Sequence, residues 1–354
     1  MERPKVANRP KVNAPQPGGA PVTESNSRPR ERRIHPADHR RDVGCPTMRA
    51  LLIVTPHATS TNERRRDLLA HALAGELSLR VAHTENRGHA AHLAAAAADS
   101  GVDLIVVHGG DGTVNEVVNG LMYRGVRPDS PLLAVVPGGS TNVFARALGI
   151  DADPTLATEQ ILEALTAHRI RVVSLGRADD RYFTFNAGLG LDAEAVHHVE
   201  KRRRGGSPIS NFLHFRMTVS GYFRSDRKHP RMTVELPGRD PIEGAYLAFV
   251  SNVDPWTYFG KRPVRTNPGT APWGGLGVFT MTKLGVPTAL RASAEILRGH
   301  PPSNSSKSII RAQDEAWVTV RCKEPVDLQV DGDYLGTRSE VEFVSVPNAL
   351  RLVL

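Results

Sequence analysis

The sequence contains one glycine-rich stretch whose residue types suit phosphate binding, His108-Gly-Gly-Asp-Gly-Thr-Val-Asn-Glu-Val117. It follows an apolar run and precedes a helical pattern, and its glycines would let the backbone approach phosphate oxygens. The amino end of the helix would present unpaired N–H groups to an anion. Asp111 is placed to hold Mg²⁺, and Thr113 to give a hydroxyl to phosphate. The alternative is a tight strand–helix turn in which Asp111 caps the helix.

A second glycine turn, Pro137-Gly-Gly-Ser-Thr-Asn142, also lies between a predicted strand and a predicted helix. In a parallel sheet such loops emerge at the carboxyl ends of the strands, where ligands bind. We therefore expect the two loops to converge on one crevice. Thr141 and Asn142 would also serve as helix caps, and capping is compatible with that role.

The elements that position these loops alternate between strand and helix from Met48 onward. The predicted strands cover 51–54, 79–83, 103–108 and 132–136, and the predicted helices cover 62–75 and 88–100 and end near 120 and 148. Near-continuous apolar strands of this kind are typical of a parallel sheet covered on both faces. We predict an α/β N-terminal three-layer domain with a mostly parallel sheet over residues 48–165.

After about residue 170 the pattern changes to short β-rich runs separated by turn residues, among them Ala316–Arg321 and Val326–Val330, with one predicted helix at Pro208–Arg224. This texture favours a C-terminal antiparallel β-sandwich-like domain over residues 166–354. The last strand, near Leu350–Leu354, is expected to return to the first domain.

Residues 1–47 hold eight prolines, ten Lys/Arg and five Asp/Glu, so this segment carries five of the eight net positive charges. Its composition predicts a disordered basic tail. Either the tail is a gene-start artefact and Met48 is the true start, or it touches anionic lipid. Since most of the basic character lies there, the charge does not indicate a nucleic-acid partner.

The remaining composition argues for a cytoplasmic location. The chain has two cysteines, Cys45 and Cys322, which excludes a disulfide framework. No apolar run approaches the roughly 18 to 20 residues that span a bilayer, and no secretory signal is visible.

Five segments together resemble the diacylglycerol kinase-like bacterial lipid kinase family, which shares its catalytic domain with sphingosine kinases. They are Gly109–Glu116, Gly139–Arg146, Thr84–Ala90, Asn186–Glu194 and Asp331–Asp333, and they follow the family's order. The resemblance implies an ATP-dependent lipid kinase that uses Mg²⁺ and phosphorylates a lipid hydroxyl. Diacylglycerol, a sphingoid base, or a glycolipid or isoprenoid alcohol would fit as acceptor.

The resemblance also implies roles for individual residues. Asp333 would accept the proton of the lipid hydroxyl, and Asp111 would be a second catalytic residue and the metal ligand. Asn186 and Asp192 would position the substrate. The implied nucleotide contacts are Thr84, Gly109, Gly110, Asp111, Gly112, Thr113, Asn115, Gly139, Ser140 and Asn142. Asp331–Asp333 has a plainer alternative, a β-turn between two strands.

The sequence departs from the family pattern at several positions. The first strand ends in Thr55-Pro56 instead of Asn-Pro, and Val143 replaces an Asp of the second loop. Gly274 replaces an Asp that helps to hold a structural Mg²⁺, and Asp333 replaces a Glu. Val143, Gly274 and Asp333 keep one alternative open, a lipid-binding homologue with impaired catalysis. The other alternative, an NAD kinase-like small-molecule kinase, has the same glycine loop, but the matches at Asn186–Glu194 and Asp331–Asp333 argue against it.

The expected partner is a lipid substrate at a membrane surface, met by peripheral contact with the inner membrane face. Lys201–Arg204 and the predicted helix after it would rest on anionic headgroups, or would simply cover the β-rich domain. The sequence leaves the oligomeric state open, and a homodimer is one option.

Overall fold

The computed structural model describes residues 32–33, 48–56, 63–190, 232–260, 262–299 and 306–354. Of the predicted tail, only the backbone of a two-residue strand, β1 (Arg32–Arg33), belongs to these ranges. Lys201–Arg204 and the helix predicted at Pro208–Arg224 lie outside the described residues.

The first half of the chain is an α/β structure with a parallel sheet in the order β3-β2-β4-β5. Its strands are β2 (Arg49–Val54), β3 (Ser78–His83), β4 (Leu104–Gly109) and β5 (Leu132–Pro137). Its helices are α1 (Glu63–Glu76), α2 (His89–Asp99), α3 (Asp111–Leu121), α4 (Val143–Ala147) and α5 (Pro154–Thr166). Every residue of β4 and β5 is buried, as expected of strands covered on both faces.

Helices cover both faces of this sheet. Residues of α2 and α3, such as Ala94 and Val118, share one core with Ile105 of β4. Leu73 of α1 and Ile161 of α5 pack on the opposite face. Alternate residues of each strand thus point into two separate cores, which explains the unbroken apolar runs.

The second half is rich in antiparallel strands. They are β6 (Ile170–Ala178), β7 (Arg181–Phe183), β8 (Asn186–Gly190), β9 (Met232–Glu235), β10 (Ile242–Ala245), β11 (Leu247–Ser251), β12 (Thr257–Phe259), β13 (Arg262–Val264), β14 (Leu276–Met281), β15 (Ile309–Glu315), β16 (Trp317–Val330) and β17 (Asp333–Val353). A helix, α6 (Val286–Arg298), connects β14 to β15. A sandwich arrangement of these strands stays a prediction.

Two elements differ from the sequence-based expectation. The runs at Ala316–Arg321 and Val326–Val330 belong to one long strand, β16, which has a register irregularity between Arg321 and Val326. The helix α6 was not predicted at all.

Two paired strands connect the halves of the chain. β6 leads out of the α/β part, and β17 pairs with β6 along most of the length of β6. The end of β17 also pairs in parallel with β5, through Leu352 and Leu133. One sheet therefore runs from the α/β part into the strand-rich part. Among the described residues, no helix has the length and apolar character needed to cross a membrane.

Candidate active site

The two glycine turns meet backbone to backbone at the carboxyl ends of β4 and β5. The Gly138 N–H donates to the Gly109 carbonyl at 2.8 Å. A Cβ on Gly139 would lie 2.8 Å from the Cα of Gly110, so a side chain there would separate the loops. At Gly112, by contrast, a Cβ would meet no atom within 4 Å. Glycine is therefore needed for packing at the contact between the loops, but not at Gly112.

Asp111 links both loops because its carboxylate faces the amino end of α4. The Phe144 N–H donates to Asp111 Oδ1 at 3.3 Å. Burial raises the pKa of Asp111 to about 6, while the N–H groups of Val143, Phe144 and Asn142 oppose that rise. The carboxylate thus lies in a poorly hydrated place where a cation would stabilise its charged form.

Three threonine hydroxyls lie next to one another at this edge of the sheet. The Oγ1 atoms of Thr55 and Thr113 are 2.8 Å apart, and Thr84 donates to Thr55 Oγ1 at 3.5 Å. Thr84 and Thr113 were predicted nucleotide contacts, whereas Thr55 was noted only as a departure from the family's Asn-Pro. The hydroxyl at that position joins the other two into one polar row.

Asn142 and Ser140 have different surroundings in the second loop. Asn142 has a positive φ of 48°, and its side chain closes the turn. It accepts from the Gly139 N–H at 2.9 Å and donates to the Gly139 carbonyl at 2.7 Å. Ser140 is exposed beside it.

Asn115 lies one turn into α3 and is almost completely buried. Its amide donates to the Tyr182 carbonyl at 2.9 Å and to Asp331 Oδ2 at 2.7 Å. Its Oδ1 accepts from Asn119 and from the Arg181 guanidinium. These contacts connect the glycine loop to the strand-rich half of the chain.

The neighbouring Glu116 caps the amino end of α2. Its carboxylate accepts from the Gly88 N–H at 2.8 Å and from the Ala90 N–H at 3.3 Å. A carboxylate at this position satisfies N–H groups that have no partner within the helix and suits the helix dipole. Through Glu116, α3 therefore fixes the end of the turn that begins at Thr84.

Asp331 is a buried carboxylate whose contacts the sequence did not reveal. Asp331 and Gly332 form the two-residue turn between β16 and β17, both with positive φ. Oδ2 accepts from the Thr184 N–H, the Thr184 hydroxyl and Asn115, at 2.6, 2.8 and 2.7 Å. Oδ1 accepts from the N–H groups of Phe185 and Asn186 at 3.0 Å each. Burial raises the pKa of Asp331, and the backbone donors oppose the rise.

Asp333, the predicted proton acceptor, follows this turn as the first residue of β17. Its carboxylate pairs with Arg87 Nη2 at 2.8 Å and lies 3.8 Å from Arg181 Nη2. Arg87 comes from the turn after β3, and Arg181 also donates to Asn115. Arg181 thus links Asp333 to Asn115, and the sequence argument singled out neither of the two arginines.

Of the two predicted substrate residues, only Asn186 can be placed. It is buried, its amide donates to the Trp256 carbonyl at 3.3 Å, and its Oδ1 accepts from Gln329 at 2.9 Å. Asp192 lies outside the described residues.

Gly274 stands where the family pattern has an Asp. The N–H of the neighbouring Gly275 donates to Asp314 at 2.6 Å, so a carboxylate from β15 reaches this turn.

Within the described ranges, no group of three or more His, Cys, Asp or Glu side chains is arranged to hold a metal ion. Asp111 offers one carboxylate beside the open space at Gly112. Mg²⁺ commonly keeps several waters and takes one or two carboxylates together with substrate phosphates. The residues present therefore fit Mg²⁺ that arrives with a nucleotide.

Comparisons with known proteins agree with this geometry. Residues 49–178 match the family model described as the diacylglycerol kinase catalytic domain. A diacylglycerol kinase of Bacillus subtilis is 40% identical over 116 residues, which are 32% of this chain and 36% of that protein. A probable lipid kinase, YegS-like, of Stenotrophomonas maltophilia is 35% identical over 193 residues, 53% of this chain and 59% of that protein. These matches span about a third to three fifths of the relatives' own lengths.

The fold is also that of a solved structure. A putative diacylglycerol kinase of Bacillus anthracis superposes with a TM-score of 0.68 at 22% identity, over 88% of this chain and 98% of the other. That likeness shows the fold, and the match at residues 49–178 shows the domain. Residues 49–178 of this chain are therefore similar to the diacylglycerol kinase catalytic domain.

Proposed function

We propose that this protein is an ATP-dependent lipid kinase that transfers the γ-phosphate to a lipid hydroxyl, such as that of diacylglycerol. One observation carries the proposal. Asn115, four residues after Asp111 in the glycine loop, bonds both to Arg181 beside Asp333 and to Asp331 in the adjacent turn. A group suited to the nucleotide and a group suited to the acceptor therefore lie at the two ends of one hydrogen-bonded network.

The nucleotide would bind where the two glycine loops meet. The open space at Gly112 and the amino end of α3 suit phosphate oxygens, and Thr84, Thr113 and exposed Ser140 offer hydroxyls nearby. Gly109, Gly110, Gly139 and Asn142 would shape this backbone, and Asn115 would hold it in position. Asp111 would hold Mg²⁺, which neutralises phosphate charge when the nucleotide is bound.

The acceptor would approach from the side of Asp333. An alcohol is a poor nucleophile until its proton has an acceptor, and Asp333 is the partly exposed carboxylate at this place. Arg87 and Arg181 would offset the negative charge of the transferring phosphoryl group. Asn186 would support the acceptor from β8, and the role expected of Asp192 stays a prediction.

The location and partners follow from this function. A lipid acceptor requires access to a membrane surface, so we expect a cytoplasmic protein that touches the inner membrane face peripherally. The strand-rich half, arranged as a sandwich, would accommodate the acyl chains. Of the alternatives, a small-molecule kinase of the NAD kinase type gains nothing from the family match. Measuring turnover distinguishes the other alternative, a lipid-binding homologue with impaired catalysis, from an active kinase.

The test is transfer of labelled γ-phosphate from ATP into a total lipid extract in detergent micelles with Mg²⁺. Wild type should give a phosphorylated lipid that is absent with Asp111→Asn. Measurable ATP binding without transfer to any lipid would contradict the proposal, and transfer to NAD would replace it.

A substitution at Gly112 tests the proposed phosphate site. Gly112→Ala adds a methyl group where the protein itself has space, so folding stability should be unchanged or slightly higher. If phosphate oxygens occupy that space, the variant should bind ATP about tenfold or more weakly. Equal ATP affinity in calorimetry would place the phosphates elsewhere.

A further inference from the structure

The unpredicted helix α6 has apolar side chains that pack inward and others that face outward, about 120° away around the helix axis. Ala292 and Ile296 pack against Phe279 and Met281 of β14 on the inner side. On the outer side, Val286, Leu290 and Leu297 are 51%, 66% and 41% exposed. At about 100° per residue these three lie within about 40° of one another, in one stripe about 16 Å long.

Basic side chains lie at both ends of this stripe. Lys283 and Lys307 are exposed at the amino end, where the Thr282 N–H donates to the Ser308 carbonyl. At the carboxyl end are exposed Arg298 and Arg262, whose guanidinium donates to the Leu297 carbonyl at 2.9 Å.

Among the described residues of α6, none places a negative charge on the outer side. Its only acidic residue, Glu295, is buried and is paired with Arg291 and Arg311 at 2.9 Å each. Glu295 therefore does not offset the basic ends.

We infer that α6 is a docking surface for an anionic lipid bilayer, an inference that rests on the proposed lipid kinase function. The three apolar side chains would enter the boundary between headgroups and acyl chains, and the basic ends would contact anionic headgroups. Nucleic acid fits less well, because it would leave the apolar stripe in water. A lipid kinase must reach an acceptor that stays in the membrane, and this surface brings the strand-rich half to it.

The test is sedimentation of the full chain with vesicles that contain no diacylglycerol, in the absence of ATP. Vesicles of phosphatidylcholine mixed with phosphatidylglycerol should bind wild type, and binding should weaken with salt and on pure phosphatidylcholine. Leu290→Glu should weaken binding about tenfold or more, because a carboxylate would replace an inserted side chain. Glu is a good helix former and the site is exposed, so the fold should be kept.

A control on another helix separates this surface from a general effect of added charge. Leu156 of α5 is 47% exposed, and Leu156→Glu should leave vesicle binding unchanged. The double variant Lys283→Gln and Lys307→Gln should weaken binding to anionic vesicles only. Thermal melts would confirm that each variant is folded.

Activity on a short-chain diacylglycerol that dissolves as monomers separates docking from catalysis. Leu290→Glu should keep this activity and lose activity on vesicle-borne diacylglycerol. Unchanged vesicle binding by Leu290→Glu, or loss of short-chain activity with binding intact, would overturn the inference. Sensitivity to the lysines but not to Leu290 would indicate a general polyanion site and would also overturn it. Absence of kinase activity in wild type, with vesicle binding as described, would count against the proposed function alone.

Discussion

Asp331, in the turn between β16 and β17, and Asp333, at the start of β17, differ in what surrounds them, and we expect a structural role for the first and a chemical role for the second. Asp331 accepts five hydrogen bonds inside the protein, whereas Asp333 is partly exposed beside two arginines. We expect Asp331→Asn to lower the free energy of unfolding by about 3 kcal/mol, because two buried N–H groups would face an amide donor.

Asp333→Asn should instead change stability by less than about 0.5 kcal/mol, as for exposed ion pairs, and lower kcat about a hundredfold. Urea unfolding and phosphate transfer, measured on both variants, check the pair. Equal effects of the two substitutions on both measurements would contradict this division of roles.

Asp111 should make the metal-free protein less stable as the pH rises. Its folded-state pKa is about 6, above the ordinary value of 3.8, so the folded state holds the proton more tightly than the unfolded state. Wild type should therefore lose about 2 to 3 kcal/mol relative to Asp111→Asn between about pH 4 and pH 7. Denaturant unfolding in a chelator measures this, and a difference that is flat with pH would be the contrary result.

Sequence reasoning at the residue scale succeeded where contacts are local. The family motifs marked the glycine turns because strand, glycines and helix follow one another within a few residues. The contact of Asn115 with Asp331 joins residues 216 positions apart, and nothing in the local pattern announces it. Arg87 and Arg181 were missed for the same reason.

At the scale of elements, α2 and α3 pack closely enough to require glycine. A Cβ on Gly120 would lie 2.2 Å from the Ala91 carbonyl oxygen, so backbone would have to move. Gly120→Ala should cost about 2 to 3 kcal/mol of stability. In α1, Gly75 has no atom within 4 Å of such a Cβ, and Gly75→Ala should stabilise by about 0.5 to 1 kcal/mol. Thermal unfolding of both variants tests this, and a stable Gly120→Ala protein would contradict it.

The parallel strands were predictable because burial on both faces leaves an unbroken apolar run. The helix α6 is amphipathic, and its pattern was missed because it lies among short β-rich runs. The sequence pattern predicted two runs in place of β16 because Lys323, Glu324 and Pro325 resemble a turn. These residues lie at the register irregularity of the strand.

At the scale of the whole molecule, the end of β17 ties the two halves into one folding unit. Leu352 is fully buried in the core beneath α2 and α3 and pairs with Leu133. Leu352→Ala should lower stability by about 2 to 5 kcal/mol in a single transition that affects both halves. Ile170 is the control, because it is exposed and pairs with Val353, the residue after Leu352. Ile170→Ala should lower the free energy of unfolding by less than about 1 kcal/mol. Two separate transitions in calorimetry would contradict this coupling.

The register of β17 is irregular between Val346 and Leu350, where Asn348 has a positive φ. This point divides the strand unequally, with a short arm fixed in the parallel sheet and a long arm that begins at Asp333. Because the long arm is paired with β16 as far as Asp333, a change of angle at this point would be carried along both strands to the turn that joins them. Pro347 and Asn348, far along the strand from Asp333, would then influence where the carboxylate of Asp333 lies.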